Sequence, residues 1–256
     1  MIKPLYLDPA QHWQITLNDG PALNVSAPGR ARSLYPLQRL ARVVSPCQAQ
    51  WTSAALLACL RAGVTVVFAD ADGQTIAWCF GPRRRETTLA CLLREALDMP
   101  DGPAMLTDWQ RAQERQDMLA TMRWLQVRCH ELSAGAVRAR LCNLHRQRLG
   151  RPAGVWLRAI QASTEAWVAQ HLHGLVGDPQ LIGYHCEGLH LSRMMTGLME
   201  WSSLHRILHD LPLPLFEQLT PHRLAATAIE RHATPMHRAL GRLVGSLEHC
   251  LRAELT

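Results

Sequence analysis

Apolar residues recur in two rhythms along the chain, one in each half. In the N-terminal part the rhythm is short and alternating. Leu5-Tyr6-Leu7 and Gln14-Ile15-Thr16-Leu17 read as strands, and Asn18-Asp19-Gly20-Pro21 predicts a hairpin turn into Leu23-Asn24-Val25. Arg39 to Val44 predicts another strand, and Val64-Thr65-Val66-Val67-Phe68-Ala69-Asp70, apolar but for Thr65 and the closing Asp70, predicts a buried one. Asp72-Gly73 turns the chain into Thr75–Phe80, a further strand. Between them, Thr52–Arg61 places Ala55, Leu56, Cys59 and Leu60 on one helical face and stops at Gly63.

The rhythm then lengthens. Thr87–Leu97 predicts a short amphipathic helix, and Asp98–Thr107, with Pro100, Gly102 and Pro103, predicts a domain boundary. From Asp108 onward apolar residues recur three or four apart. Met118, Met122, Leu125 and Cys129 form one stripe, and Val137, Leu141 and Leu144 form a second. Gly150-Arg151-Pro152 opens a third helix, with Leu157, Ile160, Thr164, Trp167, Val168, Leu172 and Leu175 inward, which runs to about Val176. Gly177-Asp178-Pro179 is a turn. A helical stretch bearing Leu189, Met194, Leu198 and Trp201 follows, and Leu240, Leu243, Val244, Leu247 and Leu251 mark a C-terminal helix. The pattern predicts an α+β chain. Its β-rich N-terminal domain spans 1–97, its linker 98–107, and its all-helical C-terminal domain 108–256.

Composition adds a partner class. The 256 residues are 48% hydrophobic, enough for a core, and carry a formal net charge of +6. Lys3 is the only lysine, so the positive charge is nearly all arginine, whose planar fork suits phosphate. A genome rich in Arg codons gives the same bias. The eight cysteines include no CxxC pair, which argues against a zinc site of that type. With no signal peptide and no apolar run of membrane-spanning length, the expectation is a soluble, cytoplasmic protein. No Gly-rich phosphate loop or Gly-x-Ser-x-Gly elbow is present.

The residues 177–201 hold the most chemistry. His185 and Glu200 pair an imidazole with a carboxylate, a donor set that suits Mg²⁺ or Mn²⁺ better than zinc. On spacing alone, a satisfied core histidine and a solvated glutamate explain the pair better than a metal site does. Glu165 is a candidate further carboxylate. It precedes Gly177 by roughly 18 Å of helix, and the segment from Pro179 to His185 reaches back about 20 Å when extended. His205 and His209 form an i, i+4 pair of the kind that binds metal on a helix face, although thirteen histidines make chance pairs common. Arg83-Arg84-Arg85 is a basic run that fits either DNA contact or a solvated surface.

Gly177-Asp178-Pro179, then Ile182-Gly183-Tyr184-His185, then Gly197-Leu198-Met199-Glu200 resembles the C-terminal catalytic motif of the CRISPR-associated integrase, the spacer-acquisition endonuclease of CRISPR adaptation. Tyr35-Pro36-Leu37-x-Arg39-Leu40-x-Arg42-Val43-Val44, Ala55-Leu56-Leu57, Gly63-Val64-x-Val66-Val67-Phe68 and Asp72-Gly73 resemble that family's N-terminal β domain. The likeness implies an N-terminal dimerisation domain and a helical catalytic domain. It also implies Glu131, with Ala134-Gly135 after it, as a catalytic metal ligand beside His185 and Glu200, with Mg²⁺ or Mn²⁺ as cofactor. The implied activity is insertion of short DNA spacers into a CRISPR array by attack of a 3′-hydroxyl on a phosphodiester. The implied partners are double-stranded DNA, a second copy of the chain and the small second protein of CRISPR adaptation. Gly197 stands where the family has an acidic residue, and Trp156 stands near its usual Asn. Those departures suit a catalytically silent DNA-binding scaffold. A metal-dependent nuclease without an integration role is the other alternative.

Overall fold

The computed structural model describes residues 3–18, 20–71, 73–81, 87–128, 132–150, 153–178, 181–182 and 190–255. These group into two compact units, Met1–Arg83 and Arg84–Thr256. The α+β reading holds: strands fill the first unit, and helices make up the second.

The N-terminal unit contains two four-stranded sheets. One has the order β1 (Lys3–Tyr6), β5 (Leu40–Pro46), β7 (Thr65–Ala69), β8 (Thr75–Cys79). Its first three strands are parallel, with Val43 opposite Val66 and Val44 opposite Val67, and β8 closes it antiparallel. The central strands β5 and β7 are buried on both faces, which is why Val64–Ala69 reads as an apolar run interrupted only by Thr65. The other sheet has the order β4 (Ser33–Pro36), β3 (Ala22–Ser26), β2 (Gln14–Leu17), β6 (Gln50–Trp51). Here Ile15, Leu23 and Val25 point inward at alternating positions. The helix α1 (Ser53–Arg61) is capped by the Thr52 hydroxyl, which accepts the Ala55 N–H. It lays Ala55 and Cys59 into the same core as Ile15, Val43 and Val66. β4 and β6 were not expected. One is largely exposed and the other has two residues, so neither leaves a clear alternation.

In the second unit, α2 (Thr88–Asp98) and α3 (Gly102–Trp124) meet at a tight corner. The segment 98–107, expected as a linker, is instead this corner and the first turns of α3. The Gly102 backbone lies so close to the Ala96 carbonyl that a Cβ would come within 1.6 Å of it. Pro103 sits in the first turn, where its missing N–H costs nothing. α3 therefore begins before Asp108, where the helical rhythm was expected to start. It ends at Trp124, and Gln126 just beyond takes a left-handed φ of 54°.

α4 (Ala134–Leu149) and α5 (Ala153–Val176) follow. α5 is buried nearly all round, with Ile160, Ala166, Trp167, Val168, Ala169 and Leu172 inaccessible, so it is the central helix of the unit; Leu175, expected inward, is 44% exposed near its C-terminal end. After it come α6 (Leu191–Met199), a π-helical turn at Glu200–Leu204, α7 (His205–Asp210), α8 (Leu213–Gln218), α9 (Pro221–Arg231) and α10 (Ala233–Glu254). α5 packs against α9, α6 and α4, and α3 packs against the π turn. Among the described residues no helix is long and apolar enough to cross a membrane.

Candidate functional site

Glu200 opens the π turn, a motif that widens a helix by one residue and re-aims the side chains around it. The turn is anchored on both sides. Trp201 is fully buried against Met118, Met122, Val137 and Leu141 from α3 and α4, and the Thr121 hydroxyl donates to its carbonyl. Arg138 of α4 bridges two carboxylates. Its Nε donates to Glu200 Oε2 at 3.1 Å, and one terminal nitrogen donates to Glu114 Oε1 of α3 at 2.6 Å. The guanidinium also stacks over the Trp201 indole, 4.8 Å from the ring centroid, and the indole N–H donates to Glu114. Two carboxylates thus share one cation inside a partly buried network.

Beneath this network lie two imidazoles. His205 is completely buried, and its Nδ1 is 3.1 Å from Nε2 of His145, with the rings parallel to within 7°. One of the two nitrogens carries the shared proton. Burial pushes the His205 pKa down to about 3, and His145 and Arg138 push in the same direction. Burial likewise lowers His145 to about 4, helped by the charge of Arg148. Both rings are therefore neutral near pH 7. His205 Nε2 faces Glu200 Oε1 at 3.9 Å and has no hydrogen-bond partner. Burial and the Glu200 charge together raise the Cys142 thiol above its ordinary range.

The expected metal set meets this arrangement at one point only. Glu131 and His185 lie outside the described residues, as does the Arg83-Arg84-Arg85 run. Glu200 is described, but a divalent cation at Oε2 would have to displace Arg138. Among the described residues, no three His, Cys, Asp or Glu side chains converge as a metal site. By themselves, then, the described residues around Glu200 do not fit a divalent ion. Glu165 sits on α5, where burial raises its pKa and Arg193 of α6 opposes the shift. The His205/His209 pair does not act as a pair: His205 turns inward to His145, whereas His209 is exposed and lies edge-on to Trp124. Trp156 is a packing residue, edge-on to Phe216. A side chain built at Gly197 would meet nothing within 4 Å.

No family model matches the sequence, and no curated protein matches it either. Solved structures do. A Cas1 protein from Thermotoga maritima superposes with a TM-score of 0.71, covering 95% of this chain and 97% of that one at 12% identity. The TtCas1–DNA complex gives 0.57 over 98% and 92% of the two chains at 14% identity. A casposase bound to its integration product gives 0.62 over 90% and 82% at 10% identity. The chain has the Cas1 fold.

Within this Cas1 fold, the sequence reading missed Glu114, Arg138 and His145 as partners of the Glu200 region. Each comes from a helix remote in sequence. The available signal was polarity: Arg138 and His145 stand beside the α4 stripe of Val137 and Leu141, yet nothing in the spacing says what they meet.

Proposed function

We propose that this Cas1-fold protein handles DNA as an integrase-type component of CRISPR adaptation. The observation that carries the reading is the match over nearly the whole chain to Cas1 structures. Among the matching structures are one complexed with DNA and a casposase holding an integration product. The arginine-borne net charge of +6 supports the same partner, because guanidinium groups bind backbone phosphate. In its enzymatic form the reading takes Glu131, His185 and Glu200 as the ligand set for Mg²⁺ or Mn²⁺. Such an ion, when bound, supplies Lewis-acid polarisation of a scissile phosphate. Arg138 then has the task of holding the Glu200 carboxylate and the π turn in place.

A second reading, a DNA-binding scaffold without phosphoryl transfer, is favoured by a specific observation. The Glu200 carboxylate is already bonded to Arg138, and Gly197 offers no ligand at the family's acidic position.

The experiment is a strand-joining assay in Mn²⁺ with a short duplex and a supercoiled target, run beside a DNA-binding titration at several salt concentrations. Both readings expect binding that weakens steeply with salt, with a log–log slope set by the number of phosphates neutralised. Salt-independent binding overturns both. The enzymatic reading expects metal-dependent joining that His185→Ala and Glu131→Ala abolish and Glu165→Ala leaves largely intact. A parent protein that binds DNA but joins none establishes the scaffold.

A further inference from the structure

We propose that the cleft between α3, α7 and α10 is a nucleoside-phosphate site, separate from the Glu200 network. The cleft measures about 380 Å³, within the range of small-ligand pockets. None of its lining side chains belongs to the Glu114–Arg138–Glu200 cluster or to the buried histidine pair. It is opened by the π turn, which delivers Ser202 to the cleft on one side while Glu200 meets Arg138.

Three chemistries converge there. The first is cationic: Arg206, Arg238 and Arg242 all line the cleft, and Arg238 forms no ion pair with a described residue. The second is aromatic. Trp124 ends α3 at the cleft with 38% of its surface exposed, unusual for a tryptophan in a chain that buries Trp109, Trp156, Trp167 and Trp201. It is held there by the Arg206 guanidinium, 5.2 Å from the ring centroid, and by the edge of His209. The third is an unmet polar demand in the interior. Asp117 is only 9% exposed; one carboxylate oxygen accepts from Arg242 at 3.1 Å, and the other, Oδ2, is buried with no hydrogen-bond partner. The Ser202 hydroxyl is likewise buried without a partner. An unpaired buried acceptor costs free energy, so the cleft favours a ligand that brings a donor.

These features select among ligand classes. A bare phosphate satisfies the arginines and leaves Asp117 Oδ2 unmet and repelled. An apolar ligand leaves every polar group stranded. A nucleoside phosphate answers all three, because each base carries at least one N–H or amino donor for Asp117. Its π face stacks on Trp124, and its phosphate lies among Arg206, Arg238 and Arg242. Base–aromatic stacking and arginine–phosphate contact are the two forces that hold single nucleotides of unpaired strands. The proposal deepens the DNA reading, by adding a place for one unpaired nucleotide, but its chemistry applies equally to a free mononucleotide.

The test is calorimetric titration of the full chain with inorganic phosphate, with each of the four deoxynucleoside 5′-monophosphates, and with duplexes carrying blunt ends or short unpaired 3′ ends. Mononucleotides are expected to bind at least about tenfold more tightly than phosphate, the size of one stacking contact. Trp124→Leu is expected to lose that margin, and Arg238→Gln to weaken phosphate and mononucleotides alike. Both residues lie at the cleft's exposed edge, and circular dichroism checks that the variants fold. An unpaired-end duplex that outcompetes both the blunt duplex and the mononucleotides identifies the strand as the source of the nucleotide. Mononucleotide binding without that preference identifies the free nucleotide. Equal affinity for phosphate and nucleotide, or variants that bind as the parent does, overturns the site. Loss of all duplex binding with mononucleotide binding retained would remove the DNA reading and leave the site standing. Duplex binding indifferent to both variants, without mononucleotide binding, would do the reverse.

Discussion

At the scale of single residues, the second unit commits itself to neutral imidazoles. His145 and His205 share one proton across 3.1 Å in a fully buried position, with pKa values lowered to about 4 and about 3. In the unfolded chain both rings titrate near the ordinary value of about 6.5. Between these limits the unfolded state binds more protons than the folded one, so stability rises with pH and is lost as pH falls below about 6.5. The expected slope is about 1.4 kcal/mol per pH unit for each ring. Urea unfolding from pH 7 to pH 5 should show the midpoint falling steadily. In a His145→Leu, His205→Leu double variant most of that slope should vanish, and a flat parent profile would refute the assignment. Arg138 makes the opposite commitment. Replacing it by Met leaves Glu114 and Glu200 side by side, at 25% and 15% side-chain exposure, without their shared cation. The cost should be about 2–3 kcal/mol in urea titration, below that of a fully buried pair because water reaches part of the network. A loss under half a kcal/mol, the size typical of exposed ion pairs, would mean the network is mere surface pairing.

Among the elements, the corner between α2 and α3 and the π turn do most to shape the C-terminal unit. The corner depends on the absence of a side chain at Gly102. Gly102→Ala puts a methyl against the backbone carbonyl of Ala96, which has no rotamer by which to escape. The backbone must shift, and the cost should be about 1–3 kcal/mol, comparable to overpacking a core. Alanine at the exposed Gly241 or Gly245 of α10 meets nothing within 4 Å and should stabilise the helix slightly. Thermal melts of the three variants separate the two kinds of glycine, and equal shifts for all would show that the corner tolerates a Cβ. The π turn acts differently. By widening the helix it sends Glu200 to Arg138 and Ser202 to the cleft of Asp117 and Arg242, so one irregular turn serves two separate polar clusters.

At the scale of the molecule, two four-stranded sheets leave edges to be covered. β4, an outer strand, exposes Leu34 at 56%, and β8, the outer strand of the other sheet, exposes Ile76 at 44%. Apolar side chains on unpaired edges invite a second chain. The expectation is a homodimer formed through the N-terminal unit. Light scattering of the purified protein should give twice the 28.7 kDa chain mass at micromolar concentration, and Leu34→Lys should shift it toward monomer. A parent that stays monomeric over that range would rule the dimer out.

Periodicity alone determined most of the architecture. Two-residue alternation marked β2 and β3, the Val64–Ala69 run, apolar but for Thr65, marked a strand buried on both faces, and the i, i+3, i+4 stripes marked α3, α4, α5 and α10. These signals are local, because each comes from one segment meeting one core. The resemblance carried by His185 and the Gly177-Asp178-Pro179 turn likewise points to the Cas1 fold from the sequence alone. Only the tertiary structure decided what Glu200 touches. Its partner Arg138 arrives from another helix, and His205 faces it at 3.9 Å from across an irregular turn; no spacing rule registers either meeting. The same holds for the 98–107 segment. Pro and Gly break a helix whether the chain then crosses a linker or folds back on itself. It was the approach of Gly102 to Ala96 that made this break a corner inside one unit. The cleft of Trp124, Asp117 and Arg238 was the least legible. Its charges, its exposed ring and its unpaired carboxylate oxygen come from α3 and α10, more than a hundred residues apart in sequence, and become one site only when those helices pack.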